Sequence, residues 1–477
     1  MLGWIILIVL AVLLAVILVR TALFRPKEKA EESPEEISFD KDAAIRALGE
    51  LVKCRTVSNY DPEKEDEAEF EKLIGLLPTL YPRVAEVCTM QRLPDRALLF
   101  TWKGRGEGKP AVLMAHYDVV PVEEENWEHP PFEALDRDCV MWGRGTLDTK
   151  VTFNGVLSAA DNLIAQGFTP QNDIYFAFSG CEEINGPGAV HIVDWFKENG
   201  VEPELVVDEG GAVVEGVFPG VSEPCGLIGI AEKGMLNLEF SVSSGGGHAS
   251  APAPHTPVGV LSKACARVEA KPFRSHLTKP VREMFDTLGR HSSFVYRMIF
   301  SNLWAFGWVL DLLCKKSGGE LNALLRTTVA FTQMQGSLAP NVIPPSASMV
   351  ANLRLNPMDS VAGAVETIRG VVSDEKVGLR VMQSFEPSPI SRTDCAGWER
   401  VSKAVSDTWR GCLVAPYLMV QCSDSRHYRD LSDRVYRFSA MDLTKEERGT
   451  IHGNNERIRL ETACRAVEFF IRLMKQC

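Results

Sequence analysis

Three hydrophobic patterns succeed one another along the chain. Residues 2 to 19, LGWIILIVLAVLLAVILV, carry no charge over 18 positions, just enough to cross a bilayer as a helix. A cleaved secretory signal is the rival reading, and it asks for a basic start, a shorter apolar run and a small-residue cleavage site. No Lys or Arg precedes the run and VRTALF follows it, which favours a single-pass anchor over residues 1–24. Arg20, Arg25, Lys27 and Lys29 come next, so the positive-inside rule puts the body of the chain in the cytoplasm. All of this charge lies on one flank, which leaves an extracytoplasmic body open. Residues 25–40 are charged and proline-containing and read as a solvated linker.

From residue 41 to 230 the second pattern alternates helical windows, such as 42–53 and 65–80, with short apolar strands in AVLMAHYDVV, DIYFAFSG and ELVVDEGG. That alternation predicts an α/β fold, a sheet covered by helices. The third pattern begins near 231, where MLNLEFSVSS, ASMVANLRLNP and VGLRVMQSFEP alternate with period two, as half-buried antiparallel strands do. With helical stretches near 256–270 and 359–373, this predicts an inserted α+β lid or dimerisation domain, 231–387, built on a four-stranded antiparallel sheet. Residues 388–477 return to the first domain and close on an amphipathic helix, LETACRAVEFFIRLMKQC. Within the insert, 272–325 includes SSFVYRMIFSNLWAFGWVLDLLC. The plain expectation is a helix pair buried against the lid sheet; the alternatives are a wall for a greasy substrate or a surface lying on a bilayer. Arg297, Asn302 and Asp311 interrupt it as a second span.

Bulk numbers narrow the function. The chain has 477 residues and a formal net charge of −12 with no basic stripe, which argues against a nucleic-acid partner. Twelve cysteines without CxxC pairs, and no Asn-x-Ser/Thr sequon, lean towards a reducing compartment.

The candidate chemistry gathers at strand ends, where open α/β sheets place ligands. There lie His116 and Asp118 in MAHYDVVPV, Asp148 in WGRGTLDTK, Glu182 and Glu183 in FSGCEEINGPGAV, Asp208 in VVDEGG and His452 in TIHGNNE. A single strand-end Asp is ordinarily a helix cap, and a single His a hydrogen-bonded residue. Five carboxylates and two imidazoles at one sheet edge would repel or strand their charges without cations. Imidazole and carboxylate donors without thiolate suit zinc, cobalt or manganese. In His-x-Asp both side chains leave the same face of a strand, so the Asp can orient the His. Of two adjacent glutamates, one can bind metal while the other handles protons.

The order His-x-Asp, Asp, Glu-Glu, Asp and a late His resembles metallopeptidase family twenty over residues 40–475. NLWAFGWVL, RTTVAFTQMQGSLAPNVIPPSA and QCSDSRHY are most similar to its carboxypeptidase S branch, which includes N-fatty-acyl-amino-acid synthase/hydrolases. The resemblance implies two Zn2+ per chain, with Co2+ or Mn2+ as substitutes. His116 and Asp208 would hold one ion, Glu183 and His452 the other, and Asp148 would bridge. Asp118 would orient His116 and Glu182 would be the general base. Thr149 stands where relatives often carry an acid or Asn.

The substrate side is less sharply marked. His248 in SSGGGHASAP reads either as an incidental residue of a flexible turn or, by the resemblance, as an oxyanion donor supplied by a partner subunit in dimeric relatives. Asn341, Arg354 and Arg426 are candidates to hold a substrate carboxylate, Arg426 most of all; a surface salt bridge explains Arg354 equally well. The expected activity is hydrolysis of N-acyl amino acids or short peptides with a free carboxylate, on a membrane-tethered and dimerising chain. Strict dipeptidase action and a non-catalytic tethered binding protein are the alternatives.

Overall fold

The computed structural model of the protein describes residues 1–26, 34–216 and 218–477. The middle of the expected linker, with Lys27 and Lys29, falls outside them. The helix Leu2–Leu23 leaves most of its length exposed and buries only Ile17 and Thr21.

The main body is built on one eight-stranded mixed sheet. Its order is Thr89–Leu93, Ala97–Trp102, Ile174–Ser179, Ala111–His116, Leu205–Val214, Val435–Leu443, Cys225–Glu232, Leu413–Met419. Ala111–His116 runs parallel to both its neighbours, and the first two strands add an antiparallel edge. Every residue of Ala111–His116 and Ile174–Ser179 is buried. That explains why these strands read as unbroken apolar runs rather than alternating ones. Leu113 and Phe176 face a core with Phe153, Val156 and Phe470, from the helices Lys150–Ala165 and Leu460–Met474. Val112, Met114 and Tyr175 face the other way, onto Ile192 and Phe196 of the helix Gly188–Glu198. Because the central strands are parallel, their C-terminal ends open at one edge. His116 and the loop after Ser179 therefore lie side by side.

A second sheet, ordered Thr328–Gln335, Ser346–Leu355, Gly234–Ser243, Gly378–Phe385, is antiparallel throughout. Leu236, Leu238, Phe240 and Val242 alternate onto one face, where the helices Pro257–Ala270 and Val361–Val372 cover them. The other face is more polar, with Asn237 bonded to Asn352 across the strands.

The segment between these strands corrects one expectation: the helix pair Phe294–Ser301 and Leu303–Ser317 is not buried against the four-stranded sheet but packs on the helices Leu2–Leu23, Lys279–Gly289 and Gly319–Leu325. The helix Lys279–Gly289 packs along the edge strand Leu413–Met419 of the main sheet. Its Val281, Met284, Phe285 and Leu288 join the main core, and Phe285 meets Phe218 and Phe300 ring to ring. The inner face of the smaller sheet is already filled by its two helices, whereas a bare edge strand needs cover. The helices Phe294–Ser301 and Leu303–Ser317 follow, bent by 112° at Asn302, then Gly319–Leu325.

Candidate active site

His116, at the end of its strand, is 2% exposed. Its Nδ1 lies 3.0 Å from the carbonyl oxygen of Asp118 and 3.3 Å from Asp118 Oδ1. Asp118 is itself fully buried. It accepts from the Ser58 hydroxyl at 2.7 Å and from the backbone N–H groups of Glu182 and Glu183 at 3.1 Å each. One carboxylate thus orients the imidazole and pins the loop carrying both glutamates. Ser58, far ahead of the first motif strand, gave no signal in the sequence.

The other ring nitrogen of His116 lies 3.0 Å from Asp148 Oδ1. The second oxygen of Asp148 lies 3.0 Å from His452 Nε2, which is also 3.0 Å from Glu183 Oε2. Asp148 therefore stands between two imidazoles, one oxygen to each. Its loop is held by Glu456, a fully buried carboxylate. Glu456 pairs with Arg144 at 2.6 Å and accepts from the N–H groups of Leu147 at 2.7 Å and Asp148 at 3.2 Å. His452 sits in the left-handed region with φ 58°, an uncommon conformation for a side-chain-bearing residue. Glu456 was legible only as one more acid after His452.

At the next acid the structure departs from the expected set. Asp208 does not face His116: its Oδ2 accepts from the backbone N–H of Ser425 at 2.8 Å. Glu209 does face it, with Oε1 3.5 Å from His116 Nε2. The cause is a break in strand register. Arg437 pairs with Asp208 but Phe438 pairs with Gly211, so Glu209 and Gly210 form a bulge, which re-aims a side chain. A Cβ on Gly210 would come within 2.7 Å of Arg437 Cβ, and one on Gly211 within 1.9 Å of the Leu227 carbonyl oxygen. Both glycines are needed for the strands to close around that bulge. Ligand atoms of His116, Asp148 and Glu183 lie within 4.8 Å of one another, as do those of His116, Glu182 and Glu209.

The electrostatics are those of a pocket with surplus negative charge. Burial first, then nearby carboxylates, push Glu183 up to about 7 and Glu209 up to about 8. Burial likewise raises Glu182 well above the carboxylate range, with Asp424 and Glu209 adding to it. Hydrogen bonds to Asp148 and Glu183 raise His452 to about 10. For His116 burial works the other way, but Glu209, Asp118 and Asp148 outweigh it and hold the ring well above its ordinary value. The donor set, imidazole and carboxylate oxygen without thiolate, fits divalent zinc, cobalt or manganese.

Arg426 is 9% exposed and lies over the ring of Phe385, 5.1 Å from its centroid. It donates to Ser423 O at 2.7 Å and to Asn185 Oδ1 at 3.3 Å. The buried Asp424 is 3.8 Å away, and the sequence did not single it out. Arg354 reaches across from the smaller sheet to Cys422 Sγ at 3.1 Å; no carboxylate lies within ion-pair distance of it among the described residues. His248 and Asn341 come together elsewhere. His248 pairs in register with Val342, and Ala249 N–H donates to Asn341 O at 3.0 Å. Both residues are exposed, and neither touches the acidic cluster among the described residues.

Residues 112–476 match the model of peptidase family M20/M25/M40. The chain is 34% identical over 477 residues to an N-fatty-acyl-amino acid synthase/hydrolase PM20D1 of Xenopus tropicalis, covering 98% of this chain and 93% of that protein. It is also 34% identical over 477 residues to a probable carboxypeptidase S-like 2 of Dictyostelium discoideum, covering 97% and 92%. Among solved structures, an M20 family metallo-carboxypeptidase of Sulfolobus solfataricus shares the fold with a TM-score of 0.68 at 16% identity, over 91% of this chain and 98% of that one. The eight-stranded sheet, the inserted four-stranded sheet and the ordered acids between them are those of a hydrolase that belongs to peptidase family M20/M25/M40.

Proposed function

We propose that the chain is a dizinc amidohydrolase that cleaves N-acyl amino acids, or short peptides with a free carboxylate, and is tethered to a membrane by Leu2–Leu23. The observation that carries this reading is Asp148, one oxygen 3.0 Å from each of two imidazoles. A shared carboxylate between two terminal sets is the arrangement a pair of divalent ions requires. His116 and Glu209 would hold one ion, Glu183 and His452 the other. Two such ions would supply a polarised carbonyl and an acidified water.

The chain's own groups do the rest. Asp118 fixes the His116 ring and, through two backbone N–H groups, the direction of each glutamate. Glu182 takes a proton from the attacking water and returns it to the leaving amine nitrogen; burial raises its proton affinity towards the range such a base needs. Arg426 holds the substrate carboxylate, its charge offsetting the buried acids around it. Arg354, tied to Cys422, steadies the smaller sheet against the Arg426 loop. His248 and Asn341 reach a reaction centre only across a dimer or after a lid movement, and we assign them to that closed form. The names of the relatives, one a fatty-acyl-amino acid synthase/hydrolase and one a carboxypeptidase S-like protein, support the substrate class.

The test is turnover of the full chain loaded in turn with Zn2+, Co2+ and Mn2+. N-acetyl and N-oleoyl amino acids, dipeptides and a carboxyl-amidated analogue are the substrates. Release of the free amino acid, lost on amidation, is expected. Cleavage of free-amine dipeptides alone would replace this reading with a strict dipeptidase, and tight metal binding without any turnover would leave a binding protein.

A further inference from the structure

The bent helix pair Phe294–Ser301 and Leu303–Ser317 is built in an unusual way. The polar residues Asn302 and Asp311 are turned inwards, while Lys315 and Lys316 lie exposed in the last turn. Asp311 pairs with the buried Arg326 and, at 2.9 Å, with Lys315. Asn302, at the bend, is fully buried. Its large apolar residues point outwards: Phe294 is 53% exposed, Val295 60%, Trp304 56%, Trp308 71% and Leu312 59%. Trp304, Trp308 and Leu312 recur every fourth residue and so form one stripe on one helix face. An outward apolar face with inward charges is the reverse of a water-facing helix.

The helix Leu2–Leu23 is locked onto this pair at its bend. Arg20 Nε and Nη2 donate to the Ser301 carbonyl at 3.2 and 3.0 Å, satisfying an end carbonyl that the short helix cannot pair itself. Asn302 Nδ2 donates to Ile17 O at 3.3 Å, and Thr21 Oγ1 lies 3.2 Å from Ser301 Oγ. Arg290 covers the Phe24 ring and donates to Arg25 O at 3.1 Å. The non-helical backbone at the bend is thus sealed by protein, the condition on which a broken helix survives in an apolar medium.

We propose that this helix pair is a second membrane element, seated in the upper acyl and headgroup layer of a phospholipid bilayer beside the Leu2–Leu23 span. The two helices have 8 and 15 residues, and a bend of 112° keeps them from spanning. An interfacial seat suits them instead, and tryptophan favours that depth. The bilayer is the occupant because the apolar stripe continues from the apolar helix docked at its bend. The proposal rests on reading Leu2–Leu23 as a membrane helix. It adds that the catalytic body sits on the lipid surface at a fixed angle instead of swinging on a tether.

The experiment is tryptophan quenching of the full chain in vesicles of phosphatidylcholine with brominated acyl chains. Wild type, Trp4→Phe and the double variant Trp304→Phe/Trp308→Phe are compared. The expected result is that the double variant loses a substantial part of the quenchable emission. Quenching unchanged by the double variant overturns the proposal. Coverage of this face by a second copy of the chain would give that same unchanged result and overturn it equally. Loss of quenching in Trp4→Phe reports the N-terminal span separately, so failure of the anchor and failure of the second element are told apart.

Discussion

Glu182 and Glu183 leave adjacent backbone positions, yet only Glu183 contacts His452. Glu183→Ala should lose one metal per chain by elemental analysis, together with activity. Glu182→Gln keeps the shape but removes the proton acceptor, so turnover should fall by about a hundred- to ten-thousand-fold with metal content near wild type. If the glutamine variant empties a site while the alanine variant does not, the two roles are exchanged. The bulge at Glu209 gives a companion test. Glu209→Ala should weaken metal binding, whereas Asp208→Asn, which keeps an acceptor for the Ser425 N–H, should leave metal content intact and act on stability; the reverse pattern would restore Asp208 as the ligand. Most site residues were legible as acids and imidazoles after apolar runs, because strands must end somewhere and polar groups at those ends need a reason. Which of Asp208 and Glu209 faces His116 was not, since strict alternation cannot register an extra residue fixed by a distant partner strand. Glu456 and Ser58 escaped for a related reason: their partners, Asp148 and Asp118, are far away in the chain.

At the scale of elements, strands buried on both faces and strands buried on one face read differently, which is why the two sheets could be told apart before their pairing was known. The helix pair Phe294–Ser301 and Leu303–Ser317 was misplaced because an apolar helix does not announce which surface it covers. Between the two sheets sits Lys233, fully buried, its Nζ donating to Ala323 O and Arg326 O at 2.9 Å each. Burial first, and then Arg354, lower this amine to about 7. The unfolded chain keeps the proton up to about 10.5, so between those values the unfolded state binds more protons and stability must rise with pH. The sign follows from a depressed base: its penalty is complete below pH 7 and relieved above it. Lys233→Met has no such proton. The stability difference, wild type minus variant, should therefore increase by about 3 kcal/mol from pH 6.5 to 9.5, measured by denaturant unfolding of the full chain. A flat difference would mean that Lys233 stays charged in the fold.

For the whole molecule, the first question is how it is held. A span over Leu2–Leu23 predicts that the intact protein stays with membranes through high-salt and alkaline washes; recovery of a soluble chain beginning beyond residue 20 would show cleavage instead. The order in which the parts are made has its own consequence. Val435–Leu443 lies between Leu205–Val214 and Cys225–Glu232, which touch each other only at Val213–Gly226 and Val214–Cys225. The middle of the large sheet is therefore an open seam until the chain is nearly complete. Roughly two hundred residues separate Cys225–Glu232 from its late neighbour, about 10–40 s of synthesis at ordinary rates. His452 and Glu456, which contact and brace Asp148 in the acidic cluster, come later still. If Leu2–Leu23 is a span, a growing chain would already be fixed to a membrane while it remained unable to cut anything, and its exposed seam would make that interval the time when chaperones matter most.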